Sequence, residues 1–235
     1  LSCRKIENLK EETLTLANND LPVAHGVCRN LCLPMGMLVL VLLSAGMWMR
    51  GATDADQATR LPTGMWLDPA GRSFDIGNMP LSMILSPRGD HLIVSLNGWR
   101  EQGVQVIERA TGRILQTLMQ PGAFLGLAFS SDGRTLYASG GNEDAVYCYS
   151  WLDGKATPAG RIALAQKQTD KSGTRFPAGL AVSQDGRRLY VAENIGGSLA
   201  VIDVASRQIL QRLKADHYPY DVAVAGDGRV YVSAW

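Results

Sequence analysis

Four cysteines and three histidines are few for 235 residues, and their placement excludes several chemistries. Cys3, Cys28 and Cys32 crowd into the first 32 residues, which leaves Cys148 alone in the remainder. No disulfide framework and no C-x-x-C pair can be drawn from that distribution. Without a C-x-x-C-H motif there is no covalent haem site, and three histidines are too few to ligate iron otherwise. A typical catalytic zinc site takes three protein ligands, and a single imidazole without partners does not make one. No metal site is therefore expected in these residues. Cys148, in the apolar run AVYCY, reads as a small buried hydrophobe.

Charge of one sign is also missing. Lys and Arg number 23 against 22 acids, and residues 1–60 hold six of each. With no basic stripe and no aromatic RNA-binding signature, nucleic acid is not an expected partner. Long apolar runs are rare too. The exception is Leu31 to Met49, nineteen residues without a charge between Arg29 and Arg50. Its length lies between a signal-peptide core and a short spanning helix. The expected organisation is a polar tail at 1–30, a signal peptide or signal-anchor at 31–49, a polar linker at 50–61, and one folded region at 62–235. Export to the periplasm or beyond follows, with or without membrane anchoring through 31–49. Residues 1–30 read either as a cytosolic tail or as sequence upstream of the native start. No lipobox cysteine follows the apolar run.

Repetition is what the sequence has in abundance. Residues 129–139 read FSSDGRTLYAS and residues 182–192 read VSQDGRRLYVA. LSPRGDHLIVS (85–95) and VAGDGRVYVS (224–233) are two further copies, so turn glycines fall at Gly89, Gly133, Gly186 and Gly228. A spacing in the forties, with one stretched interval, is that of propeller blades. In each copy an Asp-Gly corner joins two apolar runs, as a hairpin requires: Asp bonds its own backbone and Gly supplies a positive φ. The first copy departs from this, with Arg88-Gly89 and the acid displaced to Asp90. GVQVIERATGRILQTL (103–118) and GSLAVIDVASRQILQRL (197–213) add two more strand-like runs each, so the unit is four short antiparallel strands, A to D. In the 177–213 unit these are Gly179–Val182, Leu189–Ala192, Ser198–Asp203 and Gln208–Leu213. Runs such as AGLAV and LAVIDV are nearly continuous in apolar residues, which suits a sheet covered on both faces. Blades are expected at 80–119, 124–165 and 177–213, with part of a fourth from Pro219 to Trp235. GMWLDPAGRSFDIG (64–77) reads as the last two strands of a preceding blade. The fold class is therefore all-β, an incomplete β-propeller of three full blades plus parts of two others. Because propellers close first blade on last, the chain is expected to be the front part of a longer protein, monomeric once its ring is complete.

The stretch P-x-G-L-A-V-S-x-D-G-x-x-L-Y-V-A-E-N (177–194), followed by S-L-A-V-I-D-V-A-S-R-Q-I (198–209), resembles the YVTN-type β-propeller repeat. That family is similar to the seven-bladed lactonase-like propellers. In many bacterial relatives the propeller precedes an alkaline-phosphatase-family phosphoesterase domain, and LPTGMWLDPAGRSFDIGNMP is similar to the start of that fused type. The resemblance implies that a divalent metal, if any, would sit in a C-terminal domain outside these residues. None of that enzyme's motifs maps onto this sequence.

Strand order places the D–A and B–C loops on one face of the ring and the Asp-Gly corners on the other. Function is expected among the longer loops. That face collects Asn97, Trp99, Asn142, Glu143, Phe176, Glu193, Asn194, His217 and Tyr218, with Asn78, Gln120, Arg175 and Trp235 beside them. The long polar loop AQKQTDKSGTRF (165–176) has the character of a lid. Asn and Glu at strand ends commonly bond loop amides instead of ligands, and His217 is the one histidine on this face. Arg134, Arg187 and Arg188, after the corners, are expected to be solvated.

Three functions compete. The first is an exported, non-catalytic module binding an unknown ligand or protein. The second is a lactonase-like hydrolase drawing its chemistry from Glu143, Glu193, Arg175 and His217. The third is the N-terminal propeller of a metal-dependent phosphoesterase. The first is the preferred reading, since no catalytic motif is present and fold alone names no ligand.

Overall fold

The computed structural model describes residues 59–67, 73–166 and 171–235. The expected polar tail, the apolar segment 31–49 and most of the linker lie outside the described residues. A short hairpin pairs β1 (Thr59–Arg60) with β2 (Trp66–Leu67). It belongs to a compact unit ending at Asp68, and residues 69–235 form a second unit.

That second unit is a series of antiparallel sheets, each built from strands consecutive in sequence. Blade 1 contains β3 (Pro80–Leu85), β4 (His91–Asn97), β5 (Gln102–Glu108) and β6 (Ile114–Met119). Blade 2 contains β7 (Leu127–Phe129), β8 (Thr135–Ser139), β9 (Ala145–Leu152) and β10 (Lys155–Ala163). Blade 3 contains β11 (Pro177–Val182), β12 (Arg188–Glu193), β13 (Ser198–Asp203) and β14 (Ile209–Lys214). A two-stranded sheet of β15 (Asp221–Val224) and β16 (Val230–Ser233) opens the fourth. The expected blades are present, with boundaries moved by a few residues.

One assignment needs correction. Of the described residues between 64 and 77, Trp66 and Leu67 are in a strand and 73–77 are not. Pro62, Thr63 and Gly64 make a turn closed by Gly64 N–H to Leu61 O at 2.8 Å, so the pairing falls on either side of it. Residues 73–77 carry no strand, and Gly77 N–H bonds the Gln105 side chain at 3.0 Å instead of a ladder partner.

The corners are built as the repeat predicts. Ser183 Oγ donates to Asp185 (2.6 Å), whose carboxylate accepts from Arg187 N–H (3.0 Å), while Arg188 N–H bonds Ser183 Oγ (2.9 Å). Ser130 and Asp132 repeat this network. In blade 1 the displaced acid still serves: Ser86 Oγ donates to Asp90 at 2.7 Å, and Gly89 keeps a φ of +72° like its counterparts. Arg188 differs from expectation. It is tied to Asp203 across β12 and β13 at 2.7 Å, because antiparallel register sets the two residues opposite each other.

Burial explains the near-continuous apolar runs. Along β8, Leu136 and Ala138 join a core with Ile93, Val104 and Val106 of blade 1. Tyr137, between them, joins a second core with Leu180, Leu189 and Ile202 of blade 3. Period-two alternation thus sends successive side chains to opposite neighbours, and both faces must be apolar. Cys148 is buried in the second core, as expected. The first strands β3, β7, β11 and β15 pack side by side. Their approach is close enough that a Cβ on Gly126 would lie 2.1 Å from the Ala178 carbonyl oxygen.

Candidate functional site

Loop polarity places the candidate residues where the strand order predicts, on the face holding the D–A and B–C connections. Three of the A strands are entered the same way. Met79, Phe176 and Tyr218 each precede a proline and each adopt a positive φ, +52°, +54° and +50°. For large side chains this conformation costs roughly 1–3 kcal/mol. In the two complete blades it turns a carbonyl toward the end of the B strand: Asn97 N–H bonds Met79 O at 3.1 Å, and Asn194 N–H bonds Phe176 O at 3.0 Å.

The carboxylates of this face are heavily committed. Glu193, at the end of β12, is fully buried. Ser198 Oγ donates to its Oε2 at 2.5 Å, and Arg212 Nε reaches both oxygens at 3.0 Å. Arg212 also donates from Nη2 to Leu164 O of blade 2 at 2.6 Å, so this cluster pins two blades together. Arg175 approaches the same carboxylate, Nη1 to Oε2 at 3.9 Å, and its buried Nε has no hydrogen-bond partner.

Asp144 is the residue sequence reasoning missed. It closes a 3-10 turn over Gly141–Glu143 with a φ of +49° and is fully buried. Its Oδ2 accepts Thr174 N–H (2.6 Å) and Thr174 Oγ (3.2 Å). Its Oδ1 accepts Arg175 N–H (2.8 Å) and Phe176 N–H (2.9 Å). Three consecutive amides gathered on one anion form a nest. Burial raises the Asp144 pKa, but the amides of Phe176, Thr174 and Arg175 outweigh it and hold the carboxyl below its ordinary value. Asn142 reinforces the latch by accepting Gly173 N–H at 2.8 Å. The base of the long D–A loop is thereby fastened to the B–C loop of blade 2. Residues 167–170, at the centre of the proposed lid, lie outside the described residues.

The remaining candidates divide. Asn194 donates to Pro219 O at 3.1 Å, a structural bond from blade 3 to the fourth sheet. Glu143 is half-buried and its Cγ lies near Gly122. His217 is exposed, and its own N–H bonds Asp216 at 2.8 Å. Phe176, Phe124, Tyr220 and Trp235 form a chain of edge-to-face contacts at 5.1, 5.9 and 6.2 Å. Of the four catalytic candidates, Arg175 and Glu193 are brought together. No local pattern announces Asp144, Ser198 or Arg212, whose partners are supplied by other strands and loops. Among the described residues no group of three His, Cys, Asp or Glu is placed to hold a metal ion.

No protein-family model matches the chain, and no curated protein matches it by sequence. Solved structures do. A putative 6-phosphogluconolactonase from Bacteroides uniformis is 16% identical with a TM-score of 0.56, over 75% of this chain and 56% of that one. The fold these share with the chain is the β-propeller. A putative 6-phosphogluconolactonase from Bacteroides fragilis is similar at 14% identity and a TM-score of 0.54, over 75% and 56% of the two chains. The periplasmic gluconolactonase of Pseudomonas aeruginosa is 24% identical with a TM-score of 0.50, over 65% of this chain and 46% of that one. The chain thus spans about half the length of these solved structures. At these identities the likeness concerns architecture, and substrates do not transfer with it.

Proposed function

We propose that the chain is an exported propeller module of YVTN-type repeats that holds a ligand or partner on its D–A and B–C face without catalysis of its own. One observation carries this reading: the two fully buried carboxylates there, Asp144 and Glu193, are spent on loop amides and on Arg212. A general acid or base needs a proton-accepting atom within reach of substrate, and these oxygens face protein donors. Export rests on the apolar segment 31–49 and on the periplasmic location of the Pseudomonas aeruginosa relative. Among the described residues no helix is long and apolar enough to cross a membrane.

A lactonase-like activity is the second reading, favoured by the gluconolactonases among the structural neighbours. The two separate in one experiment. The full chain is titrated with glucono-δ-lactone in a calorimeter, while acid release is followed at constant pH. Saturable heat with acid release no faster than the uncatalysed hydrolysis of the lactone supports binding. Acid release above that rate, lost in Glu143→Gln or His217→Ala, overturns the non-catalytic reading in favour of the lactonase. The phosphoesterase alternative is tested by reading the gene beyond the codon for Trp235.

A further inference from the structure

One dipeptide of the D–A and B–C face carries a chemistry of its own. Asn97-Gly98 is the sole Asn-Gly pair in the sequence, and it stands where β4 ends and the B–C loop of blade 1 begins. In such a pair the glycine nitrogen can attack the asparagine Cγ, because the glycine has no side chain to block the approach. Packing keeps the glycine in place. A Cβ on Gly98 would lie 2.8 Å from Asn78 Cβ and 3.1 Å from the Glu101 carbonyl oxygen. The fold thus demands the very residue that leaves Asn97 open to attack.

The Asp-Gly corners contain the same backbone pair but are protected. The carboxylates of Asp132 and Asp185 each accept a serine hydroxyl and a backbone N–H, and the serine bond first of all holds each pKa below its ordinary value. An ionised carboxylate repels a nucleophile. The N–H groups of Gly133 and Gly186 are tied as well, to Ser130 O and Ser183 O at 2.9 Å. The Asn97 carboxamide carries no charge, and among the described residues no hydrogen bond holds it. Asn97 is half-exposed, so water reaches it. Gly98 is buried, but its nitrogen attacks an atom of the adjoining residue and needs no access from outside. Gly98 N–H does bond Glu101 O at 3.1 Å. That bond spans a tip whose Trp99, Arg100 and Glu101 are exposed, and loop contacts of this kind open at little cost.

We propose that Asn97 is a self-modification site. Gly98 N bonds to Asn97 Cγ, the carboxamide nitrogen leaves as ammonia with the amide proton, and water opens the succinimide to aspartate or isoaspartate. Each event adds one negative charge to this face. The isoaspartate product also lengthens the main chain by a carbon between β4 and Trp99. The test ages the full chain in mildly acidic and mildly alkaline buffer, on protein that keeps its native circular dichroism. Cleavage after Arg88 and Arg100 then yields peptide 89–100, in which Asn97 is the sole asparagine. Mass spectrometry is expected to find its amide converted to acid, faster in alkali because the attacking nitrogen must lose its proton. A protein-isoaspartate methyltransferase is expected to label it. The rate is expected to lie within about tenfold of that of synthetic peptide 89–100, since one exposed loop hydrogen bond protects weakly. Gly98→Ala does not fit the packing, so Asn97→Gln serves as the control; its ring closure is slower, and the amide is expected to persist. A rate below that range overturns the proposal, as does conversion of Asn142 or Asn194 as fast as Asn97. The site stands or falls apart from the lactone titration, which reads binding and hydrolysis alone.

Discussion

Replacing Asp144 by Ala is the perturbation that most directly probes how the face is built. The substitution removes one buried carboxylate and strands three backbone N–H groups, those of Thr174, Arg175 and Phe176. A buried donor left without a partner costs about 1–3 kcal/mol, but Thr174 is exposed and part of the loop can turn to water. The sum is therefore set near the low end, about 3 kcal/mol, a large fraction of the total stability of an ordinary domain. Asp144→Asn keeps one oxygen for two of the amides and turns an NH2 group toward the Thr174 amide, so about 2 kcal/mol is expected. Urea unfolding should show a lower midpoint at unchanged slope. Hydrogen exchange should quicken at 174–176 before the blades open. The pH dependence has a definite sign. The folded pKa of Asp144 lies below its ordinary value, so its contribution is complete above the unfolded pKa and is lost as pH falls through the folded one. In the Ala variant that acid-side loss should be smaller. A midpoint shift below about 0.5 kcal/mol, the range of ordinary surface changes, with unchanged protection at 174–176, refutes the latch.

Three further outcomes follow from the same geometry. Glu193→Gln takes the charge from a fully buried carboxylate held by Ser198 and Arg212, and chemical denaturation should register a loss of about 2–4 kcal/mol. Gly126→Ala places a Cβ 2.1 Å from the Ala178 carbonyl and should cost about 1–3 kcal/mol by overpacking the inner strands, read as a lowered melting temperature. Asp90, bonded first by Ser86 and then by His91, has its pKa lowered to about 2. Carboxyl NMR titration should find it there, and Ser86→Ala should move it back toward the ordinary aspartate range.

Much of this molecule was legible without coordinates, for a physical reason. Hairpin corners are local: a Ser, an Asp, a Gly and the next two backbone amides lie within six positions, which is why the networks at Ser130–Asp132 and Ser183–Asp185 follow the repeated letters. Two-sided burial is nearly as local, because a strand alternates its side chains whatever its neighbours are. The exchange of Leu136 and Tyr137 between two cores is written in consecutive residues. Even the displaced Asp90 keeps its corner, since Ser86 remains within reach.

The candidate site was legible only as a face. Glu193 stood in the sequence as a strand-end acid available for chemistry. Arg212, nineteen residues away, decides otherwise, and only the register of three strands brings the two together. Asp144 carried no motif at all, because its partners lie about thirty residues downstream in a loop of unremarkable composition. The positive φ of Met79, Phe176 and Tyr218 is equally silent, since proline disfavours an ordinary helical predecessor without naming the conformation that replaces it. Periodic, short-range interactions made the blade readable from its letters alone. Which carboxylates are spent, and which aromatic side chains are left in water, was decided by contacts between blades.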